Sequence, residues 1–113
     1  MDRVKKYQDV IHRLLAEYRD WYDSPEDKGV DTTIIADDKH GEYMLMRVGW
    51  RGETRIRRPV FYLRLKDGKI WIEEDWTQEA IATELVRAGV PHQDIVLAFN
   101  PPEVRHLTEF ATA

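Results

Sequence analysis

Three residues in this chain stand at spacings that could do phosphodiester chemistry. Metal-dependent nucleases place one carboxylate ahead of an Asp/Glu-x-Lys pair, so that the carboxylates hold Mg²⁺ and the lysine orients the attacking water. Glu42, then Asp67-Gly68-Lys69, has that form. Asp-Gly, however, is also a strong hairpin signal, and side chains of the turn itself do not project together from one strand. A second cluster, Asp37, Asp38, His40 and Glu42, offers oxygen and imidazole donors to a divalent metal. The same composition is expected of a turn for backbone reasons, and it has neither a twelve-residue calcium-loop spacing nor a His-x-x-x-His pair. His12, His40, His92 and His106 are scattered, with no nucleophile motif beside them and no glycine-rich phosphate loop elsewhere. Cysteine is absent, which excludes disulfides, thiolate zinc sites and a cysteine nucleophile. The residues therefore point to no catalytic centre, no metal and no cofactor, and to a protein that is not an enzyme.

Binding chemistry is better represented. Formal net charge is −4, the wrong sign for a protein whose main task is coating nucleic acid. The charge is segregated: residues 1–46 are net −4, residues 47–69 net +6 and residues 70–113 net −6. The basic block holds Arg47, Arg55, Arg57, Arg58 and Arg64, interleaved with Tyr62 and followed by Trp71. Aromatic and basic side chains on one sheet face can stack bases and hold phosphates, and Tyr, Trp and Arg are equally the residues of protein interfaces. These seven residues are the candidate interaction surface. Along the strand 42–50 the alternation separates Met44, Met46, Val48 and Trp50 from Tyr43, Leu45 and Arg47. The expected arrangement puts the methionine set in the core, and Tyr43, Leu45 and Arg47 with the basic surface.

The elements that must position these groups follow from periodicity. Val4, Tyr7, Ile11, Leu14, Tyr18 and Trp21 recur at spacings of three and four, predicting a helix over roughly residues 3–22 that Asp23-Ser24-Pro25 stops. From Val30 the period becomes two. Strands are expected at Val30–Ala36, Glu42–Trp50, Arg55–Lys66 and Lys69–Glu73, joined by turns at 37–41, 51–54 and 67–68. Pro59 cannot donate to a ladder, so its strand is an edge or carries a bulge there. Asp75 and Gln78 are spaced as a capping box for a second helix through Ala88, with Gly89 as its C′ residue. Ile95–Phe99 reads as a short buried strand, Asn100-Pro101-Pro102 breaks it, and Glu103–Phe110 is a short terminal helix or tail.

At 113 residues the chain has the length of one domain. The fold class is α+β: a single domain over residues 1–113, with an antiparallel sheet of about four to five strands, a long N-terminal helix and a second helix packed on it. No apolar run is long enough to cross a membrane, and the first ten residues lack an apolar signal core. A cytoplasmic protein is expected. The amphipathic first helix and a possible edge strand leave a homodimer open.

The second half of the chain carries a specific pattern. Gly68-Lys69-Ile70-Trp71-Ile72, Asp75-x-Thr77, Ile81-Ala82-x-Glu84-Leu85, Gly89-Val90-Pro91-x-x-Asp94-Ile95-Val96-Leu97-Ala98-Phe99, Pro101-Pro102-Glu103-Val104-Arg105 and Thr108-Glu109-Phe110-Ala111 resemble the XisI family. Tyr7, Leu14-Leu15 and Val48-Gly49-Trp50 upstream are similar to it as well. Three positions depart: the family often has His where Asn100 stands, Glu where Gln78 stands and Gly where Ala80 stands. The resemblance implies an fdxN-element excision controlling factor of the kind found in cyanobacteria. Such a factor acts in heterocyst development, beside an XisH-like protein as partner and indirectly with a recombinase that supplies the strand chemistry. It implies an accessory factor without catalytic residues. The alternatives of another class are a direct nucleic-acid binder using the same basic and aromatic face, a regulator or neutralising partner of a nuclease-like protein, and a Mg²⁺ nuclease through Glu42, Asp67 and Lys69.

Overall fold

The computed structural model describes residues 2–26 and 28–113. The chain opens with α1 (Arg3–Tyr22), capped by the Asp2 carboxylate accepting from the Val4 N–H. The apolar stripe buries Tyr7, Val10, Ile11, Leu14 and Leu15. Four strands follow as an antiparallel meander: β1 (Val30–Asp37), β2 (Glu42–Arg51), β3 (Thr54–Lys66) and β4 (Lys69–Asp75). The β3–β4 turn has Asp67 at φ 55° and Gly68 at φ 73°, the two left-handed positions of a type I′ hairpin. A short α2 (Ile81–Arg87) crosses over, and β5 (Ile95–Leu97) joins parallel to β4. The sheet order is β1-β2-β3-β4-β5.

Both helices pack on one face of this sheet. Tyr7, Ile11 and Leu14 of α1 and Ile81 and Leu85 of α2 form one cluster with Tyr43, Leu45, Phe61, Leu63, Ile70 and Ile72. At about 25 cal/mol per Å² of apolar surface removed from water, this single core is the fold's main driving term. The far edge of the sheet is closed by the C-terminal segment. A 3₁₀ helix (Pro102–Leu107) leads to a bridge between Val96 and Ala111, and the buried Arg105 donates to the carbonyls of Asn100, Thr112 and Ala98 at 3.0, 3.3 and 3.4 Å. Among the described residues no helix is long and apolar enough to cross a membrane.

Three expectations change, and at Pro59 the bulge, rather than the sheet edge, is what the strand adopts. The sheet is mixed, because the crossover through α2 brings β5 in parallel. Pro59 sits in β3, an interior strand flanked by β2 and β4; the register shifts beside it, from Leu45 opposite Phe61 to Met46 opposite Pro59, so the bulge absorbs the missing N–H. The capping box does not form. Asp75 ends β4 and its carboxylate accepts from the Thr77 and Ile81 N–H groups at 2.9 and 2.8 Å, so α2 starts at Ile81, with Ala80 as N-cap and Gln78 outside it. Finally, β2 is turned over. Tyr43, Leu45 and Arg47 face the helices, and Met44, Met46 and Val48 face away.

Candidate interaction surface

The face of the sheet opposite the helices is built in rows fixed by strand register. The first row runs Asp37, Glu42, Arg64 and Trp71. The next holds Ile35, Met44 and Tyr62, then Thr33, Met46 and Pro59, then Asp31, Val48 and Arg57. Trp50 beside Arg55 closes the face at the β2–β3 hairpin. Among the described residues no element covers the rows nearest β1, and Ile35 and Trp50 are about half exposed, at 53% and 54%. Apolar and methionine side chains at the centre with arginines at both ends, Arg64 at one and Arg57 and Arg55 at the other, make an amphipathic platform.

Polar groups on this face are held in place. The Glu42 carboxylate accepts from the Tyr62 hydroxyl at 2.7 Å and from Arg64 Nε at 3.1 Å. That hydrogen bond, followed by burial, pushes the Tyr62 phenol up to about 12. Glu42 in turn raises the Arg64 guanidinium. Trp71 donates through Nε1 to the Lys66 carbonyl at 3.1 Å, and its ring centre is 4.6 Å from Lys66 Nζ and 5.7 Å from the Arg105 guanidinium. The Arg55 guanidinium stacks over the exposed Trp50 ring at 5.3 Å and Arg57 is exposed.

The seven residues singled out in the sequence divide between the two faces. Arg55, Arg57, Tyr62, Arg64 and Trp71 share the open face. Arg47 and Arg58, paired across β2 and β3, are on the helix side beyond the end of α1. Arg47 is 8% exposed, with its guanidinium 4.9 Å over the Tyr22 ring, and both arginines line a recess of about 80 Å³ with Tyr22, Pro59, Val60 and Trp76. Sequence reading missed Ile35, Met44, Met46 and Trp50 as surface residues, because alternation alone gives two faces without saying which one the helices cover.

The metal and nuclease constellations come apart. Asp37 is bound to the His40 ring nitrogen at 2.7 Å, and Asp38 to His12 Nε2 at 2.8 Å and the Tyr43 hydroxyl at 2.7 Å. These hydrogen bonds hold both carboxyls below the usual range, Asp37 through His40 first and Asp38 through Tyr43 first. Asp67 sits in the hairpin turn, Lys69 Nζ donates to the carbonyl of Ala113, and Glu42 is engaged by Tyr62 and Arg64. Among the described residues no group of three or more His, Asp or Glu side chains stands where it would hold a metal ion.

With this geometry in view, the comparisons decide the lineage. The family described as XisI protein matches residues 1–112. The chain belongs to the XisI family. Among solved structures, it is similar to a XisI-like protein of Anabaena variabilis, at 39% identity and a TM-score of 0.91, over 97% of this chain and 99% of that one. It is also similar to the fdxN element excision controlling factor XisI of Anabaena variabilis, at 38% identity and a TM-score of 0.84, over 99% of this chain and 100% of that one. No curated protein matches. The XisI fold thus extends over the whole chain, the open sheet face included.

Proposed function

We propose that this XisI-family chain is a non-enzymatic, cytoplasmic controlling factor for site-specific excision of a DNA element, and that it acts by holding a protein partner. The partner is an XisH-like protein, and through it the chain serves a recombinase that does the strand chemistry. The observation that carries this reading is the uncovered sheet face, where Ile35 and Trp50 stand half exposed beside Met44 and Met46. An apolar centre with arginines at its margin is the composition of a protein interface, where aromatic and Arg anchors carry most of the binding energy. The contact residues are Arg55, Arg57, Tyr62, Arg64 and Trp71, together with Ile35, Met46 and Trp50. Arg47 and Arg58 make a second, smaller patch past the end of α1. The net charge of −4 argues against this face serving chiefly as a nucleic-acid platform.

The test uses the full chain and a purified XisH-like protein. A complex that survives about 0.3 M salt, where exposed charge pairs are screened, and that weakens in Trp50→Ala and Arg57→Ala supports the reading. If no complex forms, and DNA binding falls steeply with salt and flattens in the Arg→Ala variants, the direct nucleic-acid alternative replaces it.

A further inference from the structure

A groove of about 340 Å³ lies on the helix side of the molecule, between the last turns of α1 and the segment leading into α2. Glu17, Tyr18, Trp21, Gln78, Glu79 and Glu84 line it. Its walls thus carry three carboxylates and two aromatic rings, and no Lys or Arg. Arg87 reaches only the margin, with Nη1 2.7 Å from Glu84 and 3.5 Å from Glu79, as does Arg13, 3.7 Å from Glu17. Arg87 shows which chemistry these carboxylates accept: a single guanidinium nitrogen lies within reach of both Glu79 and Glu84. The surrounding chain keeps the field negative, with five carboxylates and no Lys or Arg between residues 70 and 86. Trp21 is 64% exposed and stands edge-on to Tyr22 at 5.0 Å. Tyr18 is braced edge-on against Phe61 at 5.6 Å.

The occupant follows from how the charges are spread. Among the described residues no three carboxylates converge as a metal site, so a small ion held by short, convergent oxygen bonds does not match. Carboxylates distributed around aromatic walls match a larger planar cation. A guanidinium stacks on Trp and Tyr rings while its fork of N–H donors reaches several acceptors. We propose that this groove seats an arginine side chain carried by a protein partner, stacked against Trp21 and Tyr18 and hydrogen-bonded to Glu17 and Glu79. The Tyr18 phenol in this wall is pushed up to about 12, first by burial and then by the same neighbouring carboxylates, Glu84, Asp75 and Glu79. The groove is on the opposite side of the sheet from the platform of Ile35 and Trp50. A partner gripping that platform leaves it free, and the inference stands whether or not the excision reading does.

The experiment is a nuclear magnetic resonance titration of the full chain with an acetylated, amidated hexapeptide containing one arginine among glycine and serine. The control is the same peptide with citrulline, the uncharged isostere. Saturable shifts are expected at the Trp21 indole N–H and the Tyr18 ring for the arginine peptide only. Glu79→Gln is expected to weaken binding roughly tenfold, as loss of a hydrogen bond to a charged group does. Trp21→Ala is expected to weaken it about three- to tenfold; both side chains are exposed, so the fold is kept and the shifts elsewhere report it. Equal shifts with citrulline, no saturable shift, or unchanged affinity in both variants would overturn the proposal. Binding of spermidine as tight as that of the arginine peptide would assign the groove to a free polyamine and overturn it too.

Discussion

The two faces of the sheet are written with the same alternation and do opposite work. On the helix side Tyr43, Leu45, Phe61, Leu63, Ile70 and Ile72 are fully enclosed. On the open side their immediate neighbours Met44, Met46, Tyr62, Arg64 and Trp71 are only half buried. The enclosed set is nearly pure hydrocarbon, with its one phenol tied to Asp38. The open set mixes methionine, aromatic rings and paired charge. One face holds the molecule together, and the other is left presentable at a tolerable cost because its polar groups satisfy one another.

The sharpest way to break this contrast is to truncate adjacent residues of β3. Phe61→Ala removes a fully enclosed ring and is expected to cost about 3–5 kcal/mol, a large part of a small domain's stability. Tyr62→Ala, one residue on, is expected to cost about 1 kcal/mol, since it removes a half-buried ring and one hydrogen bond to a carboxylate that keeps Arg64. Denaturant unfolding with an unchanged slope measures both. Equal losses would mean that the open face is as structural as the covered one.

Partner binding is expected to invert that order. Trp50→Ala should leave the unfolding midpoint within about 0.5 kcal/mol of the parent, because the ring is half exposed. It should weaken the proposed complex with an XisH-like protein by about 2 kcal/mol, the scale of an aromatic anchor. Titration calorimetry beside the unfolding curves separates the two effects. A stability loss equal to the affinity loss would place Trp50 in the fold rather than in the interface.

How far the sequence reveals these faces follows from the kind of signal each feature has. α1 is legible to the residue, because its apolar repeat and the Ser24-Pro25 stop are local. The meander is legible for the same reason, down to the Asp67-Gly68 hairpin. Which face of β2 turns inward is not local. It depends on where α1 lies, and a period of two is symmetric between Tyr43-Leu45-Arg47 and Met44-Met46-Val48. Arg47 defeats the usual polarity argument by stacking over Tyr22 at the end of the helix. The parallel joining of β5 is equally nonlocal, and the Asp75 contact with Ile81 replaces a cap that spacing alone places five residues too early. Of the candidate interaction surface, the arginines, Tyr62 and Trp71 are singled out in the sequence by residue type alone. The partition of Arg47 and Arg58 from the rest, and the acidic groove at Trp21, needed the packing.

The smallest expected effect concerns the tyrosines, and it compares the faces by cause. On the covered side Tyr7 is raised to about 12 and Tyr43 is raised further, both by burial first and then by a carboxylate partner, Asp94 and Asp38. On the open side Tyr62 is raised to about 12 by the Glu42 hydrogen bond first. A phenol whose folded pKa is raised contributes stability that is complete below its unfolded value near 10. That stability is lost as pH rises through the folded value. The tyrosine contribution to the unfolding free energy is therefore expected to be flat up to about pH 10 and to fall above it. In Glu42→Gln the Tyr62 hydroxyl keeps a neutral acceptor but loses the charged one, so this phenol alone should ionise earlier, while Tyr7 and Tyr43 hold. Near-ultraviolet phenolate absorbance, with the Tyr62 ring followed by nuclear magnetic resonance, reads the difference. If Tyr62 does not move, burial rather than Glu42 sets it, and the open face is more enclosed than its exposure implies.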